Sequence, residues 1–385
     1  MHDAETSDLG RHFRFFFLFF RCFGAVPSVG PNEPRLLQRV QRLYHAAVTA
    51  LLTGATAKLI HDVALERPKR LNAEAAVSTF SVVFFTQACL CQLWSLKALN
   101  ALRGYAGSCF RAMNDFVDDK ASQRLGVIGA LLSVSCLVAT VGNSAVVVLA
   151  QMGWISMPIA PRLAGEHYWV SAVVNIYIGT SHLGCVGLYL LLCLAIREAA
   201  KSLRAAVQSN SPTQTETIEN LHCGYQKIHD SCRCVNKIYG NFLLLMYGSV
   251  FLITMLISYT IIKDEEADPY GKAVLIFWWL FMATETTLLT IPAVLLADEG
   301  AEITEDAFQM YNRSEQPGSI REAMVMFRAQ LVESRLEITA NDFFIVNKPL
   351  VLTLISALMT YLVILVQFDG STISCDGLTN HTLGA

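Results

Sequence analysis

The sequence predicts an all-α polytopic membrane protein with seven transmembrane helices, a cytosolic N-terminus and an extracellular C-terminus. Three observations carry that prediction. Of the 385 residues, 53% are hydrophobic and only 16% charged, whereas soluble chains carry roughly 25% charged residues. Apolar segments long enough to cross a bilayer recur along the chain. Lysine and arginine gather in alternate connections, as the positive-inside rule requires. The net charge of -3 gives no sign of a nucleic-acid partner.

Residues 1–41 form a cytosolic N-terminal segment, basic through Arg11, Arg14, Arg21, Arg35 and Arg39. The run from Phe15 to Phe20 is too short to span and is expected to lie along the membrane surface. Arg14 and Arg21 interrupt it, and no small-residue cleavage pattern marks it as a signal peptide.

Residues 42–297 carry helices 1 to 6. Helix 1 is expected at about 42 to 62, with Lys58 near enough to one end to extend its ammonium to the interface. Helix 2 follows at about 74 to 96, and the strongly apolar helix 3 at about 125 to 150. Helix 4, about 168 to 196, opens on Tyr168 and Trp169, an interfacial pair. Helix 5 is expected at about 241 to 262, and helix 6 at about 272 to 297 with Trp278 and Trp279 near its start.

Two long connections are polar. Residues 198 to 240 show helical patterns broken by Ser209-Asn210-Ser211-Pro212. Residues 298–342 form a cytosolic connection holding an amphipathic helix. Ser319 and Glu322 make a capping box, and Ile320, Met324, Phe327 and Leu331 a stripe opposite Arg321, Arg328 and Glu333. Both connections read as cytosolic helical extensions able to pack chains together. Helix 7 covers residues 343–368, with Pro349 opening its regular part. Residues 369–385 are an extracellular tail with a glycosylation sequon at Asn380.

Orientation follows from charge. The 2–3, 4–5 and 6–7 connections hold Arg103, Arg111, Lys120 and Arg124, then Arg197, Lys201, Arg204 and Lys227, then Arg313, Arg321 and Arg328. The tail beyond Phe368 holds no lysine or arginine. The cysteines are scattered and suggest no disulfide framework. Cys223, Cys232 and Cys234 lie near His222 and His229, but their spacing fits no zinc pattern. They read as inert thiols on a cytosolic helix. No cofactor or metal is expected. With no catalytic triad, metal signature or phosphate loop, the chain does not read as an enzyme.

The last helix ends unusually. Gln367 sits beside Phe368 at its close, and lipid offers an amide no partner. Gln367 shares a helical face with Ile364, Val363 and Thr360. Such an amide either narrows a pore, with Asp369 at its mouth, or caps the helix among headgroups.

Thr360-Tyr361, five apolar residues, then Gln367-Phe368 resembles the signature of the insect-type gustatory receptor family. Phe23-Gly24-Ala25-Val26-Pro27 is similar to that family's N-terminal segment. Leu362 departs from the sugar-receptor branch, which carries a glutamate there. The resemblance implies a plasma-membrane chemoreceptor: a non-selective cation channel opened by a small-molecule tastant. It implies a homo- or hetero-tetramer with other gustatory receptors, in contact with lipid and inorganic cations. Gln367, Phe368, Ile364 and Asp369 are then the pore and gate.

It also implies a ligand pocket within helices 1 to 6, open toward the outer half. The outer halves carry Thr79, Phe80 and Phe84, then Thr140, Asn143 and Ser144, then Trp169, Asn175 and Tyr177, then Trp278 and Trp279. Aromatic walls with a few amides and hydroxyls suit a small organic ligand. Each ring has an alternative use in packing or at the interface. Glu285 is an acid deep in helix 6, where it either contacts ligand or pairs with Thr or Ser across a helix interface. Two other classes share the helix count. A G-protein-coupled receptor needs Asp-Arg-Tyr after helix 3 or Asn-Pro-x-x-Tyr in helix 7, and the chain has neither. A secondary transporter needs an internal repeat, which is not evident.

Overall fold

The computed structural model of the chain describes residues 15–16, 18–19, 35–66, 76, 78–94, 116–152, 168–209, 215–263, 269–313 and 318–376. Its helices are α1 (Arg35–Glu66), α2 (78–94), α3 (Asp119–Gln151), α4 (Tyr168–Ser209), α5 (Thr215–Lys263), α6 (Pro269–Arg313), α7 (Gly318–Glu333) and α8 (Lys348–Asp376). Among the described residues the only β feature is an isolated bridge between Thr339 and Ile345. Five helices, α3, α4, α5, α6 and α8, are long and apolar enough to cross a membrane. α1 and α2 stand where the first two spans are expected.

α4 is the central helix, with most of its apolar stretch buried. It is apolar all round, as a fully surrounded helix must be, and small at Gly187, Ala195 and Ala199, which lets neighbours approach. Phe16 uses that space: its ring edge lies 3.1 Å from where a Gly187 Cβ would stand. Phe16 therefore docks on α3 and α4 while Phe15 and Leu18 face outward. α3 turns Val127, Leu131, Val134, Val138 and Val141 outward, a stripe that suits lipid.

Below the membrane segments the helices continue. On α5, Ile218, Leu221, Tyr225, Ile228, Cys232, Val235, Tyr239, Phe242 and Met246 are all buried. They alternate at spacings of three and four, a heptad seam that runs unbroken from the cytosolic turns into the span. That seam is why helix 5 begins at Thr215 and not near 241. α4 and α6 likewise outrun their expected ends, reaching Ser209 and Arg313. Arg204 of α4 pairs with Asp306 at 2.7 Å and with Glu302, and lies 3.5 Å from Glu299, all on α6. α7 packs on this bundle through Ile320, Met324, Phe327 and Leu331, the stripe expected from sequence. Its Arg328 lies over the Phe308 ring at 4.5 Å.

The link from α7 to α8 is held by side chains reading its backbone. Asn236 donates to the Glu337 carbonyl at 2.8 Å and accepts from the Thr339 amide at 3.0 Å. Tyr225 donates to the Ser334 carbonyl at 2.6 Å. The link then turns through Asn341 and Asp342 at positive φ, 52° and 60°. Helix 7 therefore starts at Lys348 rather than at Phe343, with Pro349 in its first turn, where proline costs nothing. The turn presses on Gly240, where an added Cβ would meet the Asn341 nitrogen at 2.8 Å. Backbone cannot yield as a side-chain tip can. Gly240→Ala is expected to destabilise the helix bundle by ~1–3 kcal/mol through overpacking. Gly248→Ala, with nothing within 4 Å, is the control. Thermal midpoints of the two purified variants check this, and equal midpoints would remove the close-approach argument.

An outer cavity, a buried polar layer and an exposed last helix

In the outward half, α2, α3, α4 and α6 diverge around a small cavity of about 60 Å³. Phe80, Ser81 and Phe84 of α2, Thr140 and Asn143 of α3, Asn175 and Gly179 of α4, and Phe277, Trp278 and Phe281 of α6 line it. Within each helix these positions are neighbours or lie three or four apart, so each helix offers the cavity one broad face. Trp278 donates its indole N–H to Asn143 Oδ1 at 2.9 Å and packs on the Phe80 ring at 4.9 Å. The bond fixes the indole and satisfies the amide oxygen in an apolar wall.

A polar layer lies beneath. Glu285 is one helical turn below Phe281, and His182 one turn below Gly179. Glu285 Oε1 lies 2.7 Å from His182 Nε2, with side chains 1% and 0% exposed. The other imidazole nitrogen lies 3.9 Å from Cys91 Sγ. The Phe84 ring sits 5.6 Å from the imidazole and thus bridges the cavity wall to the pair. In the same layer Ser181 donates to Gln92 Oε1 at 2.5 Å. Glu285 Oε2 has no hydrogen-bond partner among the described residues. Burying two ionisable groups this deeply is tolerable only because each answers the other.

Of the residues singled out from sequence, Phe80, Phe84, Thr140, Asn143, Asn175 and Trp278 meet at the cavity. Glu285 lies just below it. Thr79 is on an exposed face of α2, and Trp169 is 68% exposed at the start of α4. Tyr177 turns toward α1, its hydroxyl 2.9 Å from that of Tyr44. Trp279 faces a separate groove between α5, α6 and α8, donating to Ser258 Oγ at 3.1 Å. On α8, Thr360 back-bonds to the Ser356 carbonyl, and Tyr361 meets the Phe251 ring edge-on at 6.0 Å. Ile364 and Gln367 are exposed. Phe368 and Asp369 belong to the α8 backbone, which continues to Asp376. Their side chains, and Asn380, lie outside the described residues. Cys223 is exposed while Cys232 and Cys234 are buried, so these thiols do not converge.

His182 escaped the sequence reading. Its only signal was the Thr180-Ser181-His182 interruption of an apolar helix, which by itself names no partner.

The family described as the 7tm chemosensory receptor matches residues 13–371. The chain belongs to the 7tm chemosensory receptor family. The receptor is similar to Gustatory receptor family protein 3 of Caenorhabditis elegans, 22% identical over 351 residues, covering 85% of the receptor and 78% of that protein. It is also similar to High-energy light unresponsive protein 1 of the same nematode, 23% identical over 390 residues, covering 94% and 86%. Its fold matches the insect olfactory receptor OR5 from Machilis hrabei in complex with eugenol, with a TM-score of 0.71 at 17% identity, covering 94% of the receptor and 98% of that chain. The receptor is thus a multi-pass chemoreceptor of the plasma membrane, helical through its described residues apart from one isolated β-bridge, and its terminal motif resembles that of the insect-type gustatory receptors.

Proposed function

We propose that the receptor is a gustatory chemoreceptor acting as a ligand-gated, non-selective cation channel, opened by a small-molecule tastant. The observation that carries this reading is the state of α8. It is the most apolar of the candidate spans, and none of its most apolar stretch is buried within its own chain. Such a helix needs cover from lipid on one side and from other copies on the other. Around a fourfold axis, Ile364 and Gln367 would face the ion path, with Phe368 and Asp369 at its outer end. The other chains of the tetramer would be copies of this one or related gustatory receptors.

The cavity supplies the ligand site and α6 the mechanical link. α6 lines the cavity with Phe277, Trp278 and Phe281, and lower down holds Lys348 of α8 through Asp298 at 2.9 Å. Ligand that prefers a rearranged α6 shifts the population toward a displaced α8. The neighbouring olfactory receptor structure with eugenol supports a small organic ligand.

Ligand-evoked current in cells expressing the receptor tests this reading. Trp278→Ala is expected to raise the half-effective ligand concentration about tenfold, the equivalent of ~1.4 kcal/mol of lost contact. Trp279→Ala, outside the cavity, should leave it near wild type at equal surface expression. A larger shift for Trp279→Ala would move the ligand site to the groove beside α8.

A further inference from the structure

Resting on the reading of this cavity as the ligand site, we infer that it takes an organic cation: a protonated aromatic amine whose ring fills the cavity and whose ammonium seats on Glu285. Two independent observations carry this. The cavity wall is rich in aromatic rings, with Phe80, Phe84, Phe85, Phe277, Trp278 and Phe281 all lining it. Aromatic rings present negative faces, and a cage of them recognises ammonium ions. No lysine or arginine lines it among the described residues. The second observation is the carboxylate below. Glu285 is buried and already holds His182 through Oε1, yet Oε2 has no hydrogen-bond partner among the described residues. A buried acceptor left unpaired costs free energy that an arriving donor recovers.

The two parts are one helical turn apart, and the Phe84 ring stands between them. Rotation of Phe84 to another staggered well opens the cavity to Oε2. The ammonium then gains a charge-assisted hydrogen bond at a desolvated carboxylate, while neighbouring rings cover its remaining N–H groups. At about 60 Å³ the resting cavity is smaller than one ring, so the ligand is seated only as Phe84 swings aside, and is held to one ring and a short arm.

A neutral alcohol of the same shape keeps the ring contacts and loses the charge. The test is therefore a matched pair, phenethylamine against phenethyl alcohol, titrated near neutral pH into the purified full-length receptor by calorimetry. The amine is expected to bind about tenfold tighter. Glu285→Gln, which keeps shape and a hydrogen bond to His182, should bring the amine down to the level of the alcohol. Phe281→Leu, which removes one π face a helical turn above Glu285 and leaves the pair itself intact, should weaken the amine several-fold more than the alcohol. Equal wild-type affinities overturn the inference, as does an amine preference that survives Glu285→Gln. If Glu285→Gln fails to fold, Phe281→Leu decides, and an undiminished preference in that variant overturns it. An amine that binds but evokes no current counts against the channel reading and leaves the cation site standing.

Discussion

His182→Leu is expected to lose most of its folded receptor. The substitution strands the Glu285 carboxylate, 1% exposed, without the imidazole that holds it at 2.7 Å. Breaking one side of a buried charged pair costs about 3–5 kcal/mol, a large share of the ~5–15 kcal/mol that holds an ordinary domain together. Glu285→Leu should cost less, because an imidazole left behind is cheaper to bury than an unpaired carboxylate. The double variant, His182→Leu with Glu285→Leu, should recover much of the loss, since an apolar pair removes both desolvation penalties. Thermal midpoints and surface yields of the three variants form a double-mutant cycle. Additive losses, or a His182→Leu variant as stable as wild type, would mean that the two groups do not support one another.

The second large effect belongs to the end of α8. Phe368→Ala should produce current without ligand. If four copies of α8 surround an axis, an aromatic ring from each copy keeps the closed constriction dry. An ion cannot shed its water there without replacement ligands. Removing the ring widens and wets the path. Gln367→Ala should act differently, because an exposed amide can replace hydration water in the open state. Conductance or selectivity among cations should fall, with the effective ligand concentration less affected. Asp369→Asn should weaken cation attraction most at low salt, where screening is least. Single-channel and resting-current recordings separate these outcomes. Unchanged conductance, selectivity and leak in all three variants at normal surface levels would place the ion path elsewhere.

The gating link can be read in the same physical terms. The cavity and the inner end of α8 share one rigid element, α6, and the Lys348–Asp298 pair joins them at the cytosolic side. The pair is exposed and contributes little to stability. Any role it has lies in fixing where α8 enters the membrane.

Much of the molecule was legible in its residues because one-dimensional patterns decide local structure. The apolar segments placed the spans, since every buried backbone group in lipid must bond within a helix. The stripe Ile320, Met324, Phe327 and Leu331 named the buried face of α7 before any neighbour was known. Thr360, Tyr361, Gln367 and Phe368 named the family. The alternation from Ile218 to Met246 was also present, and the cytosolic helical extension read there joins helix 5 as a single 49-residue helix. A heptad seam reveals a long helix only when it is followed across the boundary between polar and apolar surroundings.

What only the tertiary structure decided is which side chains meet. Trp278 and Trp279 are adjacent in sequence and equally aromatic, yet the first lines the cavity and the second a groove beside α8. One residue turns a helix by about 100°, and the neighbour each face receives depends on packing angles that no local pattern carries. Glu285 stood out in sequence as a costly intramembrane acid. Its partner His182 lies 103 residues away on another helix, and only the approach of α4 to α6 sets the two 2.7 Å apart. The sequence by itself determined that a charge buried there needed an answer. Which residue gives it is a property of distance in three dimensions, and distance between helices is fixed by side-chain packing rather than by position along the chain.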